Sequence, residues 1–383
     1  MTRLNVGLVA VVAALLTACG GGGGSSGPAP TPAPPPAPAP PPAPSPIEAI
    51  QTAVPAFTYS ADSPERQFFT HINQQRGQCG FGLLAQSPAL DASARAHARY
   101  VQARQLEGYA AFTEYFARPH FEIQGKGGFT GVSVADRARA AGYINPSSTT
   151  QVGSAPTFGI DPDGSTRNGL GSAAMAALNL TSSVYHMAAL MGGSRDAGVG
   201  VEWTTTTLAS PFTGMPERLA VSTVFMDLGY PEVPQRANSL RSYPCAGSVD
   251  VEPSFGSETP DPLAGSGLSY PVGQPVYLQA PRAATTLSVS ALSIEPQNAP
   301  AGSVTFSTGS GNVLVLNSAN DPHRYLSAAE LVVIPHKPLL PDTTYRVRGS
   351  LQVDGVPQAV DYTFRTGPGY AVELRQPKYR VTP

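Results

Sequence analysis

An almost unbroken tract of proline and alanine fills residues 28–46 and constrains the fold of this chain more than any other feature. Proline offers no backbone donor and favours the extended polyproline II helix, and this composition supplies no side chains for a core. Glycine and serine fill residues 20–27, directly before the tract, and form flexible coil. The two stretches predict a spacer that reaches roughly 60 Å when the proline tract is fully extended.

The rest of the chain carries enough apolar surface for a folded core. Hydrophobic residues make up 41% of the 383 residues, so the composition excludes global disorder. Charged residues make up 13%, and the formal net charge is −2. Because phosphate binding needs a concentrated positive patch, this charge pattern argues against nucleic acid as a partner. The length predicts two domains beside the spacer.

The first residues of the chain read as an export signal. Arg3 precedes an apolar run at residues 6–16, which has the length of a signal-peptide core and is too short to cross a membrane. The run ends in Leu-Thr-Ala followed by Cys19, which resembles the bacterial lipobox, where the cysteine sulfur takes a diacylglycerol. This resemblance implies a signal peptide at residues 1–18 and acyl chains that hold the mature protein at a membrane. An ordinary secretion signal with an incidental cysteine is the alternative.

The cysteine count agrees with export. The chain has three cysteines. If Cys19 carries the lipid, Cys79 and Cys245 remain, and an even remainder in an oxidising compartment predicts one disulfide between them. Two free buried thiols are the alternative. The chain has no Cys-x-x-Cys, so the cysteines indicate neither a zinc knuckle nor a redox motif.

Helix signals dominate the first folded segment, which we assign to residues 62–247 after a stalk at 19–61. Two serine N-caps followed by proline open helices at residues 64 and 88, and a capping box opens a third helix at residue 134. Helices followed by antiparallel strands predict an α+β domain. Further along, the pattern predicts a helix at 173–191 with a break near 181–183, and strands at 197–203 and 219–228.

Four short motifs follow one another along this segment. They are Asn-Gln-Gln-Arg at 73–76, Ala-Arg-Ala-His-Ala at 94–98, Pro-His at 119–120 with Arg-Ala-Arg-Ala-Ala-Gly-Tyr at 137–143, and Ser-Val-Tyr-His at 183–186 with Gly-Val-Gly at 198–200. In this order they resemble the CAP superfamily of cysteine-rich secretory, antigen 5 and pathogenesis-related 1 proteins, most closely its bacterial SCP-like members. The resemblance implies an α-β-α sandwich.

The resemblance also implies a cleft. In the family this cleft gathers two histidines and usually two glutamates, and in some members the group holds a divalent metal. The two histidines fall on His120 and His186. The family's first glutamate is missing, since residues 150–155 contain no carboxylate, and Glu122 is the substitute that the sequence offers. Because zinc needs about four ligands, or three and a water, the missing acid weakens the case for zinc or another divalent metal.

Other histidines and serines of this segment have simpler readings. His97 lies on the apolar face of the second predicted helix, so we expect a packed, hydrogen-bonded ring. Ser182 and Ser183 lie near His186, but the sequence offers no orienting acid, and serines at such places cap or break helices. The motifs of common hydrolases, Gly-x-Ser-x-Gly and His-Glu-x-x-His, do not occur.

Short β-rich runs recur at roughly a dozen residues through the second segment, residues 248–383, and predict a β-sandwich. The stretches at 338–347 and 362–367 resemble bacterial Ig-like modules, which serve as spacers or binding surfaces. The predicted strands cover 275–279, 286–294, 303–307, 313–316, 331–335, 344–350 and 360–366.

Together these patterns predict an exported lipoprotein of the bacterial cell envelope. Gly20 after the lipidated cysteine resembles the sorting pattern for the outer membrane. We expect the first domain to bind a lipid, a wall component or a partner protein in a cleft with His120, Glu122 and His186. A metal-assisted hydrolase that uses the two histidines is one alternative, and a structural or adhesive surface protein is another. The sequence favours binding over catalysis and assigns no catalytic residue beyond these two histidines.

Overall fold

The computed structural model describes residues 47–108, 114, 118–155, 157–159, 169–209 and 215–369. These residues form a mixed α+β structure, as the sequence predicts. The predicted signal peptide, Cys19 and the proline tract lie outside the described residues. In the described ranges, none of the helices has both the length and the apolar character needed to cross a membrane.

Three helices of the described residues begin where the sequence places their caps, whereas the helix predicted from residue 173 begins at Gly169. The hydroxyls of Ser63 and Ser87 accept the backbone N–H groups of the first turns, and Ser133 forms the expected capping box. The first helix ends at Cys79, because Gly80 follows it in a left-handed conformation, with φ of 72°. The helices are α1 (Pro64–Cys79), α2 (Pro88–Leu106), α3 (Val134–Ala140), α4 (Gly169–Thr181) and α5 (Tyr185–Met191).

A five-stranded sheet lies among these helices. Its order is β1-β4-β5-β2, with β3 also paired to β5, and only the β1–β4 pair is parallel. The two long strands run well beyond the predicted ranges because they continue as one antiparallel ladder. The strands are β1 (Ala85–Gln86), β2 (Thr150–Ser154), β3 (Thr157–Gly159), β4 (Asp196–Ala209) and β5 (Pro216–Gly229).

Helices cover both faces of this sheet. Successive residues of β4 point to opposite faces, so each set of side chains meets a different group of helices. Gly198 and Gly200 face α2, and a Cβ atom at Gly198 would lie 2.0 Å from the backbone nitrogen of Asp91. The glycines therefore let α2 lie directly on the strand backbone. Val199 and Val201 point the other way, into a buried cluster with the apolar side chains of α1 and α4.

The second segment forms two four-stranded antiparallel sheets with one shared core. The orders are β11-β10-β14-β15 and β12-β13-β9-β6. Side chains of both sheets, among them Leu278, Val333, Ile294 and Val347, meet in one buried cluster. Each predicted strand overlaps an observed strand, but the predicted range 303–307 is a strand only at Phe306–Ser307, and the last strand begins at Val356 instead of residue 360. The short strands Ser254–Phe255 and Val272–Gly273 were not predicted. The strands are β6 (Arg241–Tyr243), β7 (Ser254–Phe255), β8 (Val272–Gly273), β9 (Val276–Gln279), β10 (Leu287–Pro296), β11 (Phe306–Ser307), β12 (Val313–Asn317), β13 (Glu330–Pro335), β14 (Thr344–Val353) and β15 (Val356–Arg365).

The two segments share a core and do not meet at the predicted boundary after residue 247. Strand β6 precedes that boundary but pairs with β9 of the second segment. Phe81 and Met187 of the first segment pack in one buried cluster with Phe255 and Tyr277 of the second. The predicted disulfide between Cys79 and Cys245 is present at the same junction and is confirmed.

The folded part also begins before residue 62. The N–H of Glu48 donates to the carbonyl of Pro234, and the Gln235 side chain accepts the N–H of Gln51 and donates to two carbonyls of the first segment. Further along, Phe57 and Tyr59 pack against the core of the first sheet. Residues 47–61 therefore belong to the folded unit and not to the predicted stalk at 19–61. Their composition is typical of a loop, but these contacts hold them against the first segment.

Candidate functional site

His120 and His186 lie next to each other, although 66 positions separate them in the sequence. Their ring centroids are 5.9 Å apart, and the ring planes are inclined by 59°. His120 belongs to a turn in which the N–H of Phe121 donates to the carbonyl of Arg118. His186 is the second residue of α5. The structure thus brings together the two histidines that the motifs single out.

Both rings line a cleft with two lobes. The first lobe has a volume of about 270 Å³ and includes Leu180, Phe225 and Phe255 in its walls. The second has a volume of about 550 Å³ and extends to Phe121 and Tyr325. Each lobe combines these apolar surfaces with hydroxyl, carboxylate and imidazole groups, as small-molecule sites commonly do.

Glu258 of the second segment holds His186 in place. Val184 precedes α5 and has no side chain that could cap the helix. The Glu258 carboxylate instead accepts the N–H groups of Val184 and Tyr185 at 3.0 Å each and of His186 at 2.7 Å. It also lies 2.5 Å from Nδ1 of the His186 ring. A carboxylate satisfies donors that the helix N-terminus would otherwise bury without partners.

These contacts fix the charge of Glu258 and the orientation of the His186 ring. Burial alone would raise the pKa of Glu258, but the charge and hydrogen bond of His186 and the backbone N–H groups outweigh it and lower the pKa. Glu258 is therefore an anion, which can only accept hydrogen bonds. Nδ1 of His186 carries the proton of this bond, and in the neutral form of the ring the lone pair lies on Nε2.

His120 carries its proton on the same ring nitrogen as His186, but a different side chain holds it there. Nε2 of Gln151 donates to the Asp227 carboxylate at 2.6 Å, which turns the Gln151 amide oxygen toward Nδ1 of His120 at 3.1 Å. This chain assigns the proton to Nδ1 and the lone pair to Nε2. Burial and the neighbouring His186 lower the pKa of His120 to about 3, so the ring is neutral at pH 7. Burial raises the pKa of Asp227 to about 6.

Glu122 does not join the two histidines. Its carboxylate lies 3.1 Å from Nδ1 of His97 and 3.8 Å from the Arg137 guanidinium, and it accepts the N–H of Thr130 at 2.6 Å. The turn before it directs the side chains of His120 and Glu122 to different surroundings. The prediction of a packed, hydrogen-bonded His97 is confirmed, since both of its ring nitrogens have partners and the ring is fully buried. Burial lowers the pKa of His97 to about 4.

The serines near His186 are occupied by the backbone. The Ser182 hydroxyl donates to the carbonyl of Asn179, and the Ser183 hydroxyl donates to that of Leu180. Both serines thus end α4 by satisfying carbonyls of its last turn, as the sequence predicts. The Ser183 Oγ atom also lies 3.4 Å from Nδ1 of His186, a ring nitrogen that Glu258 already engages.

The donors at this site do not fit a resident divalent metal. Nε2 of His120 and Nε2 of His186 offer lone pairs, but the Glu258 carboxylate is held by His186 and by backbone N–H groups. Across the described ranges, no group of three or more histidine, cysteine, aspartate or glutamate side chains is disposed to hold a metal ion. Two imidazoles alone fall short of the three or four protein ligands that zinc takes.

We expect zinc to bind this protein weakly, with a dissociation constant in the micromolar range or above, because only two imidazole nitrogens are available. Isothermal titration calorimetry of the wild type, His120→Ala and His186→Ala measures this. Either variant should lose the residual binding and any zinc-dependent rise in melting temperature. Tight, stoichiometric binding would contradict the prediction, and equal binding by all three proteins would assign the zinc to other residues.

Sequence reasoning missed the residues that support the two histidines. Gln151 lies in the stretch that was noted only for its lack of a carboxylate. Glu258 lies in a segment rich in proline, glycine and serine, where nothing in the sequence distinguishes it from the neighbouring acids Glu252 and Asp261. No family model and no curated protein matches the chain. The motifs that resemble the CAP superfamily therefore remain the basis of the family hypothesis.

Proposed function

We propose that this chain is an exported lipoprotein of the bacterial cell envelope, held by a lipid on Cys19, that binds a wall component in the cleft at His120 and His186. Its first segment would be a CAP-type α-β-α sandwich, which the helices on both faces of the five-stranded sheet support. Its second segment would be an Ig-like sandwich, which the two sheets with one core support.

One observation carries the binding function. His120 and His186 are adjacent, their Nδ1 atoms are engaged by Gln151 and Glu258, and both rings line the cleft. Within the described part of the chain, neither Nε2 atom has a hydrogen-bond partner. Two fixed acceptors in a cleft suit a ligand that presents hydroxyl or amide N–H groups, and their fixed geometry limits the entropy lost on binding.

The walls of the cleft favour a wall component over a lipid. An acyl chain requires a continuous apolar channel, because hydrocarbon gains only from surface removed from water. Here Ser182, Ser183 and Thr259 line the cleft together with both histidines. The same hydroxyls disfavour hydrolysis, since the two serines donate to the backbone and the metal ligands are incomplete. Binding without catalysis is the function that this geometry supports best.

Nuclear magnetic resonance of the histidine rings tests the proposal. We expect the imidazole signals of His120 and His186 to shift when a wall-glycan fraction of the envelope is added, whereas lipid and protein fractions leave them unchanged. His97 is an internal control in the same spectrum, because its ring is buried and bonded to Glu122 and Pro119. If no fraction moves the two signals, or if His97 moves equally, the cleft is not the binding site.

A further inference from the structure

The second lobe of the cleft exposes two aromatic rings, one from each segment. Phe121 is 40% exposed and Tyr325 is 64% exposed, and both line this lobe with His120 and His186. Single exposed rings are common on protein surfaces. Two exposed rings that line one lobe beside two oriented imidazoles indicate a binding site, because together they offer a ligand flat apolar faces and hydrogen-bond acceptors.

The loop that carries Tyr325 is built around a buried carboxylate. Asp321 accepts the N–H of Tyr325 at 2.6 Å, that of Leu326 at 2.9 Å and that of His323 at 3.0 Å. Arg324 within this loop has φ of 58°, the left-handed conformation that non-glycine residues rarely adopt. Such backbone strain persists only where the surroundings enforce it, and it is concentrated at functional sites.

This loop is also tied to the helix that carries His186. The Tyr185 hydroxyl donates to Asp321 at 2.5 Å, and the Tyr185 ring meets that of Tyr325 edge to face, with centroids 5.1 Å apart. Tyr185 is the residue directly before His186. The position of the Tyr325 ring relative to the His186 imidazole is therefore fixed by packing and hydrogen bonds, which is how a preformed binding surface is held.

Arg324 supplies a positive charge to this lobe, beside the carboxylates of Glu258 and Glu330. Arg324 is exposed beside Tyr325, and the Arg118 guanidinium lies over the Phe121 ring at 4.8 Å from its centroid. In the described ranges neither arginine has an ion-pair partner. Among the described residues, the Glu258 carboxylate is paired with His186, and the Glu330 carboxylate accepts hydrogen bonds from the hydroxyls of Ser327 and Tyr277. A guanidinium of this kind binds a carboxylate through paired N–H groups.

We propose that the second lobe is a subsite for an acidic glycan. A pyranose ring presents polarised C–H bonds on its faces, and these bonds are attracted to the negative face of an aromatic ring. The rings of Tyr325 and Phe121 supply such faces in this lobe. Arg324 binds a carboxylate of the glycan, and Nε2 of His120 and of His186 accept from its hydroxyl or amide groups. This inference rests on the proposed function and names the ligand class of the same cleft.

Two glycans and three variants test the subsite in the full-length chain. The acidic probe is a strand of alternating N-acetylglucosamine and N-acetylmuramic acid freed of peptides, and the neutral probe is the N-acetylglucosamine tetramer. Tyr325→Ala should weaken both about tenfold, whereas Arg324→Asn should weaken only the acidic probe about tenfold. Asparagine tolerates the left-handed backbone at this position. Trp203→Ala is the matched control, since Trp203 is 43% exposed but lines neither lobe.

The outcomes separate this inference from the function on which it rests. Loss of affinity in Tyr325→Ala and the selective loss in Arg324→Asn, with Trp203→Ala unchanged, support the acidic-glycan subsite. Equal binding of the acidic probe by the wild type and Tyr325→Ala overturns it, as does a wild type that prefers the neutral probe. If neither glycan binds but a lipid or protein fraction shifts the His120 and His186 signals, the subsite is overturned while the cleft stands as a binding site.

Discussion

Methionine in place of Arg76 is expected to lower the free energy of unfolding by about 3–5 kcal/mol, the largest effect of any single substitution we predict. The Arg76 side chain is fully buried, and its hydrogen-bond partners are backbone carbonyls. Removal of the guanidinium would leave these carbonyls buried without donors, each at a cost of about 1–3 kcal/mol before relaxation. The carbonyls belong to Phe81, Gly82, Leu190, Gly192 and Ser194.

The chemistry of arginine explains why no other side chain fits this position. Burial lowers the pKa of Arg76 to about 9, so the group still carries its charge at pH 7. Its planar fork directs donors to two stretches of chain at once, the loop after α1 and the turn after α5. Lysine has fewer donors and loses its proton more readily when buried, so Arg76→Lys should recover only part of the stability.

Denaturant unfolding at pH 7 measures the effect, and Arg99→Met provides the control. Arg99 lies on α2, its side chain is 67% exposed, and it pairs with Glu202. Exposed pairs of this kind contribute about 0–1 kcal/mol, so this variant should stay within that range of the wild type. Equal losses in Arg76→Met and Arg99→Met would show that the buried carbonyls do not depend on Arg76.

Loss of the Cys79–Cys245 disulfide is expected to lower the free energy of unfolding by about 4–5 kcal/mol. The bond joins the last residue of α1 to the junction with the second segment, across 166 positions. A cross-link over so long a loop restricts the unfolded chain strongly, which raises the free energy of the unfolded state. The folded state keeps its contacts, because both cysteines lie in a buried cluster with Phe81, Phe255 and Tyr277.

The double variant Cys79→Ala with Cys245→Ala should unfold at lower denaturant concentration than the wild type. A reducing agent should shift the wild type toward the double variant and leave the double variant unchanged. Alkylation of Cys79 and Cys245 in the native, unreduced protein would refute the cross-link, and so would a wild type whose unfolding ignores the reductant.

Local features of this fold were predictable because they depend on neighbours in the sequence. Ser63, Ser87 and Ser133 cap helices through residues three positions ahead, so their patterns are visible without the fold. The break between α4 and α5 was also predicted from Ser182 and Ser183. By contrast, β6 was missed, since its three residues become a strand only through pairing with β9.

The two central histidines were predicted from motifs, but their supports were not. The bond between Glu258 and the N–H of His186 spans 72 positions, and no periodic pattern marks it. Closeness in sequence to His120 favours Glu122 as a cleft residue, but the turn before Glu122 places its carboxylate against His97 instead. Asp321 gave no signal either, because a lone aspartate in a loop is ordinary until the Tyr185 hydroxyl is known to reach it.

The hydrogen bonds that join Glu48 and Gln51 to residues 234–236 determine how the folded part would respond to tension along its N-terminal segment. Glu48 and Gln235 form a parallel bridge, in which the N–H of Glu48 donates to Pro234 and the N–H of Arg236 donates to Glu48. A pull on the chain before Glu48 acts first on these bonds and on those of Gln51. Because Glu48 and Gln51 precede α1 in the chain, these contacts would have to break before tension reached that helix.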